Sequence, residues 1–259
     1  MSTFWKGSLH ERNKHYKPNK RNKLTKMSLE KFWKERFTRF AGKYDEDHLI
    51  AGWSKEGLKR RLETYLEIFR KFRLTKNVLI LDLGCGAGTY CRALKKLGYY
   101  NIIGLDYSFA VLKKAQKKTS NIHLINADIY NLPFKKQIFN HIVCIGVFQA
   151  LTDEKAALFE IKRILKKGGI LILDTLNATE IYYLIRKKIK PDPNMQNLRR
   201  YRPSYLRKLI TQIGFCYLQT QGIFIFPESF SFLYKIFPKF IPVPFGLAHS
   251  VLVICKTTK

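Results

Sequence analysis

One segment constrains the fold more than any other: Val78-Leu79-Ile80-Leu81-Asp82-Leu83-Gly84-Cys85-Gly86-Ala87-Gly88. A short run that is apolar apart from one acid, and ends in closely spaced glycines, reads as a buried strand that turns at once into a helix. Short apolar runs recur at 102–105, 122–125, 141–145 and 170–173, with helical patterns between them at 88–97, 108–118 and 153–166. Strands apolar on both faces must be covered on both faces, and strands alternating with helices build βαβ units. The expected fold is α/β: a doubly wound, Rossmann-like sheet, mostly parallel. Gly168-Gly169 predicts a tight turn before the fifth strand.

The regularity ends near residue 175. A helix over 177–188 runs into Lys190-Pro191-Asp192-Pro193, which cannot be helix interior. Pro203 suits the first turn of a helix over 203–213, and Gly214 suits its end. Two late strands follow at 215–226 and 250–255, expected as an antiparallel pair. Ahead of the sheet, helices are expected over 28–42 and 54–73, the second with Leu58, Leu62, Tyr65, Leu66 and Phe69 on one face. The chain thus divides into a basic flexible tail (1–27), an N-terminal helical cap (28–76) and a ligand-binding domain (77–259). The last carries an aromatic, proline-rich insertion at 227–245.

Composition bounds the setting. With 259 residues, 46% hydrophobic, the chain can bury one sizeable core. No apolar run reaches the roughly 18–20 residues of a membrane span, and no apolar stretch follows the basic N-terminus to make a secretory signal. Five cysteines without a CxxC pair argue against a disulfide framework or a zinc site, so no metal is expected and the setting is read as cytoplasmic. The net charge of +29 would attract RNA, DNA, anionic headgroups or phosphorylated metabolites, or it is spread as lysine doublets over solvated faces.

Three carboxylates stand at the ends of three consecutive expected strands. Asp82 precedes the glycine turn, Asp106 ends the second strand and Asp128 the third. Open α/β sheets bind ligands at that edge, and a helix N-terminus after the glycines offers free N–H groups. An acid at the second strand can accept from both hydroxyls of a ribose. Asp128 can accept from an adenine amine while Ile129 packs on the ring. The glycines read G-x-G-x-G, not the G-x-G-x-x-G of nicotinamide dinucleotide folds, which makes a dehydrogenase a poor reading.

Together, residues 78–175 resemble the class I S-adenosylmethionine-dependent methyltransferases, in the type that acts on small or lipid-like acceptors. The resemblance rests on four ordered motifs. They are Asp82, Gly84, Gly86 and Gly88; Asp106-Tyr107; Asp128-Ile129 followed by Leu132-Pro133-Phe134; and Leu165-Lys166-Lys167-Gly168-Gly169-Ile170-Leu171. It implies S-adenosylmethionine as cofactor, held by Tyr44, Asp82, Gly84, Cys85, Gly86, Gly88, Asp106, Tyr107, Asp128, Ile129 and Gly146. Where the family commonly shows Phe-Asp before the fourth strand, this chain has Phe139-Asn140; where relatives often carry histidine after it, Gln149 stands. In-line methyl transfer needs alignment more than a base, so no dyad is required, and His48 and Gln149 are the catalytic candidates. Trp53, Arg200 and Tyr201 are candidates for the substrate side.

The acceptor is expected to be a small molecule, a lipid or a glycan intermediate. The segment 227–245 is either an apolar lid for contact with an anionic membrane at its inner face or a cover over the sheet edge. The high charge keeps an RNA methyltransferase as a rival reading, and a non-catalytic binding protein on the same fold as another.

Overall fold

The computed structural model describes residues 22–71, 75–189, 198–223 and 245–258. Most of the tail (1–21) and of the aromatic insertion (224–244) lie outside the described residues, and the expectations placed there lie outside with them. In chain order the elements are α1 (Asn22–Lys43), α2 (Asp47–Ala51), α3 (Lys55–Lys71), β1 (Ile80–Leu83), α4 (Thr89–Lys96), β2 (Ile102–Asp106), α5 (Phe109–Lys118), β3 (His123–Asn126) and β4 (Phe139–Cys144). They continue with α6 (Glu154–Ile164), β5 (Leu165–Asn177), α7 (Ile181–Ile189), β6 (Arg200–Tyr201), α8 (Pro203–Ile213), β7 (Phe215–Ile223) and β8 (Ser250–Thr257).

The sheet runs β3-β2-β1-β4-β5-β8-β7, and the two-residue β6 pairs beside β5. From β3 to β5 the strands are parallel, while β8 is antiparallel to both β5 and β7. The expected doubly wound sheet with a late antiparallel pair is therefore the observed one. Strand order reverses between β1 and β4. That switch point opens a crevice at the strands' carboxyl ends, because successive connections leave to opposite faces.

Period-2 alternation divides the apolar residues between the faces. Leu81, Leu83, Ile142, Cys144, Leu171 and Leu173 pack against Leu158 and Ile161 of α6 and Leu206, Leu209 and Ile210 of α8. Ile80, Val143 and Ile172 face the other way, onto Tyr65, Ile68 and Phe69 of α3 and Cys91 and Leu94 of α4. The helix expected over 54–73 thus covers the sheet itself. Its buried line passes through Gly57, Arg60, Arg61, Tyr65, Ile68 and Phe69, so it brings two buried arginines along with its apolar residues.

Four features differ most from the sequence reading: the first is that the helix expected over 177–188 begins only at Ile181, because β5 runs on to Asn177. Helix α1 begins at Asn22, six residues before the expected start. The turn at Gly168-Gly169 is a bulge inside a longer strand: pairing with β4 jumps from Phe139↔Leu165 to His141↔Ile170, and Gly168 takes φ +70°. Strand β6 was not expected, because two residues carry no periodicity.

Candidate functional site

The glycine turn is shaped by what lies against each position. A Cβ on Gly84 would sit 2.2 Å from Val147 Cγ2, so this glycine lets the β1 loop close against the segment after β4. Gly86 takes φ +53°, and a Cβ there would meet nothing within 4 Å. That open space belongs to a cavity of about 270 Å³ above the strand ends. Gly88 lies outside the cavity, at the N-cap of α4 and packed toward Thr119.

Asp106, at the end of β2, ties the loop down. Its Oδ2 accepts from Gly86 N at 3.0 Å and its Oδ1 from Ser108 N at 2.9 Å. Burial raises its pKa to about 6 against the pull of those backbone N–H groups. A buried acid with lone pairs left over is placed to receive hydroxyl donors from a ligand. Asp82 sits beneath the turn and does not line the cavity. It is 1% exposed, accepts from Cys91 Sγ at 3.1 Å and is raised to about 7, chiefly by burial.

A smaller cavity of about 90 Å³ adjoins the first, sharing Trp33, Gly84, Asp106, Tyr107, Val147 and Ala150 with it. It adds Asp128, Ile129 and Tyr130 from beyond β3. The two together form a trough from the end of β3, across β2 and β1, to β4 and β5.

The trough's roof comes from the N-terminal helices. Trp33, Arg36 and Phe37 stand at i, i+3 and i+4 on α1, hence on one face, and all three line the larger cavity. Arg36 Nη1 is buried and has no hydrogen-bond partner among the described residues, and its guanidinium carbon lies 4.8 Å from the Trp33 ring centre and 4.3 Å from that of Phe40. A half-buried cation in the cavity wall, with one buried N–H group, is suited to an anionic ligand group. Tyr44, just past the end of α1, packs edge-to-face on Phe40 and against the Ala41–Ile50–Ala87–Val111 cluster, and does not line the cavity.

From the next segment Asp47, not His48, lines the cavity. The Asp47 carboxylate receives Thr89 Oγ1, Arg92 Nη2 and, at 2.7 Å, Lys118 Nζ, so one acid fastens α2 to α4 and α5. Burial alone would raise its pKa; the bonds from Lys118 and Thr89 and the charge of Arg92 outweigh it and hold the pKa low. The structure brings Trp53 into the cavity wall, and a Cβ on Gly146 would lie 2.5 Å from Trp53 Cζ2. Arg61 lines the same cavity, its guanidinium carbon 4.4 Å from the Trp53 ring centre and its Nε 3.2 Å from Asp174 Oδ2. The other oxygen of Asp174 accepts from Gly146 N at 2.7 Å.

At the β4–β5 end, Gln149 lines the cavity, is 7% exposed and leaves Oε1 buried without a partner among the described residues. Its backbone oxygen accepts from Arg199 N, and Tyr201 Oη donates to Phe148 O, so β6 holds this segment in place. Tyr201 is itself buried and outside the cavity, whereas Arg200 lines it. Arg200 donates to Glu180 Oε2 at 2.8 Å and to Asn177 O at 3.0 Å, and lies 3.8 Å from the Tyr183 ring centre. Glu180 Oε1 in turn meets His249 Nδ1 at 3.0 Å. Sequence reading singled out Arg200 but missed Arg36, Asp47, Arg61, Glu180 and His249. The helical spacing of Trp33, Arg36 and Phe37 was a usable signal for the first; the others lack one. Among the described residues no cluster of His, Cys, Asp or Glu could hold a metal ion, and no helix is long and apolar enough to cross a membrane.

Comparison with known proteins is consistent with this geometry. A family model described as a methyltransferase domain matches residues 81–173. An uncharacterized protein of Methanocaldococcus jannaschii is 38% identical over 125 residues, covering 48% of this chain and 51% of its own. A demethylmenaquinone methyltransferase of Thermotoga maritima is 35% identical over 144 residues, covering 54% and 60%. The chain therefore spans about half to three fifths of the length of these two relatives. Among solved structures, a magnesium protoporphyrin IX methyltransferase from Synechocystis with bound SAH superposes with a TM-score of 0.63 at 15% identity, over 91% of this chain and 99% of that one.

Proposed function

Because residues 81–173 are a class I S-adenosylmethionine-dependent methyltransferase domain, we propose that this chain transfers the methyl group of S-adenosylmethionine to a small, largely apolar acceptor. The observation that supports it most is the continuous trough, with carboxylates at one end and an apolar, histidine-bearing wall at the other. Asp106 would take the ribose hydroxyls. Asp128 and Ile129 would take the adenine, and the bare face of Gly86 gives a ligand room against the backbone. Tyr107 adds to the wall shared by both cavities. Among the described residues Arg36 Nη1 and Gln149 Oε1 have no hydrogen-bond partner; the first suits a carboxylate and the second an ammonium or hydroxyl donor. The cofactor supplies an activated methyl on a sulfonium; the chain aligns it with the acceptor and keeps water out.

Relatives named for demethylmenaquinone and protoporphyrin methylation act on ring compounds, which suits an acceptor wall built from Trp53, Leu58, Leu176 and Leu198. Isothermal titration of the full chain with S-adenosylmethionine, with NAD as control, tests the reading. Micromolar binding of the first alone supports it. Absence of binding, or equal binding of NAD, sinks it.

A further inference from the structure

The cavity's acceptor end holds a carboxylate–imidazole pair that alignment of a methyl donor does not require. His249 lines the cavity just before β8, with Nδ1 on Glu180 Oε1 at 3.0 Å. Glu180 is 4% exposed, and its second oxygen is held by Arg200, which is itself fixed by Asn177 O and the Tyr183 ring. A carboxylate anchored in that way accepts from Nδ1–H and fixes the imidazole tautomer, leaving the lone pair on Nε2. The strand order says which end of the trough this is. Asp128 and Asp106 mark β3 and β2, so the reacting centre falls past β1 and β4, toward β5 and β8.

We propose that His249, positioned by Glu180, is the general base that takes a proton from a hydroxyl-bearing acceptor during methyl transfer. The inference rests on the methyltransferase reading. In the step, the acceptor O–H gives its proton to His249 Nε2. An oxygen lone pair forms the new O–CH3 bond. The S–CH3 bond breaks with its electron pair returning to sulfur, which leaves as a neutral thioether. The charge is conserved: the sulfonium's positive charge ends on the imidazolium, beside Glu180. The acceptor is thus an alcohol or phenol on an apolar body, fitted by Leu58, Leu176 and Leu198.

Four groups set the imidazole's charge: Glu180 at the start of α7, Arg200 on β6, and Arg61 on α3 with its partner Asp174 on β5. Burial lowers the His249 pKa, the two arginines lower it further, and Glu180 opposes them. The imidazole is then neutral, and able to accept a proton, at neutral pH.

The test uses the full chain with 15N-labelled histidine, the signal assigned by loss in His249→Gln. The expected result is a neutral Nδ1–H tautomer at about pH 7, titrating below the ordinary imidazole range. In Glu180→Gln that tautomer preference is lost and the titration moves to lower pH. In a second arm, 4-nitrophenol is added to protein saturated with S-adenosylhomocysteine at about pH 6, where free phenol is mostly un-ionised. Wild type gives a saturable rise in phenolate absorbance, and His249→Gln gives none. An Nε2–H tautomer, an imidazolium at neutrality, or identical phenol spectra in the two proteins overturns the proposal. Titration with S-adenosylmethionine separates the two readings: if it binds while the dyad fails, only this inference falls. If it does not bind, the methyl-transfer reading falls while the tautomer still reports on the dyad.

Discussion

Replacing Asp106 with Asn keeps the shape of the side chain and removes its charge. Both carboxylate oxygens are occupied in the structure, by Gly86 N and Ser108 N, and an amide has only one oxygen. One of the two buried N–H groups must therefore face an NH2 donor, at a cost of about 1–3 kcal/mol in stability. Ligand binding loses more. A hydrogen bond to a charged group is worth about 1.5–3 kcal/mol, so losing ribose contacts to the carboxylate weakens S-adenosylmethionine by about 10- to 100-fold. The pH dependence follows from the same acid. Its pKa is about 6 in the empty site. Hydroxyl donors favour the ionised form, so affinity in the wild type is greatest well above pH 6 and falls about tenfold per pH unit below it. In the empty protein the sign is opposite. The folded pKa lies above the unfolded one, so the stabilisation from this acid is complete below about pH 4 and is lost as pH rises through about 6. Titration calorimetry between about pH 5 and 8, with thermal melts of the empty protein alongside, reads both effects. If the Asn variant bound within twofold of wild type, or kept the wild-type fall in affinity below pH 6, the assignment of Asp106 to the ribose would be refuted.

Three further substitutions test other parts of the site. Gly86→Ala meets no protein atom but carries a positive φ, so stability should fall by only about 1–2 kcal/mol while affinity for S-adenosylmethionine falls tenfold or more; parallel losses in melting and binding would contradict the cradle. Asp47→Ala releases Arg92, Lys118 and Thr89, and limited proteolysis should then cut within 44–53 faster than in wild type; unchanged cleavage would show that the acid does not hold this segment down. His141 on β4 is 8% exposed, with its pKa lowered by burial to about 4, so the folded state resists its protonation. Stability from the neutral ring is complete above the unfolded pKa and lost as pH falls toward 4, by about 3 kcal/mol in total. Denaturant melts of wild type and His141→Leu should therefore diverge between about pH 7 and 4, and parallel curves would exclude that role.

The sequence by itself determined the sheet and the strand-end edge where the trough lies. A strand announces itself by a short apolar run, and a turn by glycines. An acid at a strand end lies where its own strand ends, so Asp106 and Asp128 reach the trough through local geometry alone. Family resemblance and local composition pointed to Trp53, Gly146, Gln149 and Arg200, which line the cavity, but gave no means of ranking them against Tyr44, His48 and Tyr201, which do not. The reasons differ by element: His48 follows Asp47 by one residue of α2, a turn of about 100° off the cavity; Tyr201 follows Arg200 on β6, where successive side chains alternate faces; and Tyr44 lies past the end of α1, packed on Phe40. What remained was decided by tertiary structure. Arg61 meets Asp174 across 113 residues and Ser250 across 189, and Glu180 meets His249 across 69. No periodicity links such positions. They come together because β8 inserts antiparallel beside β5, setting His249 against the helix that follows β5. The buried arginine and the buried acids are tolerable only once that arrangement supplies a partner for each, and a partner 100 residues away leaves no mark on the local sequence.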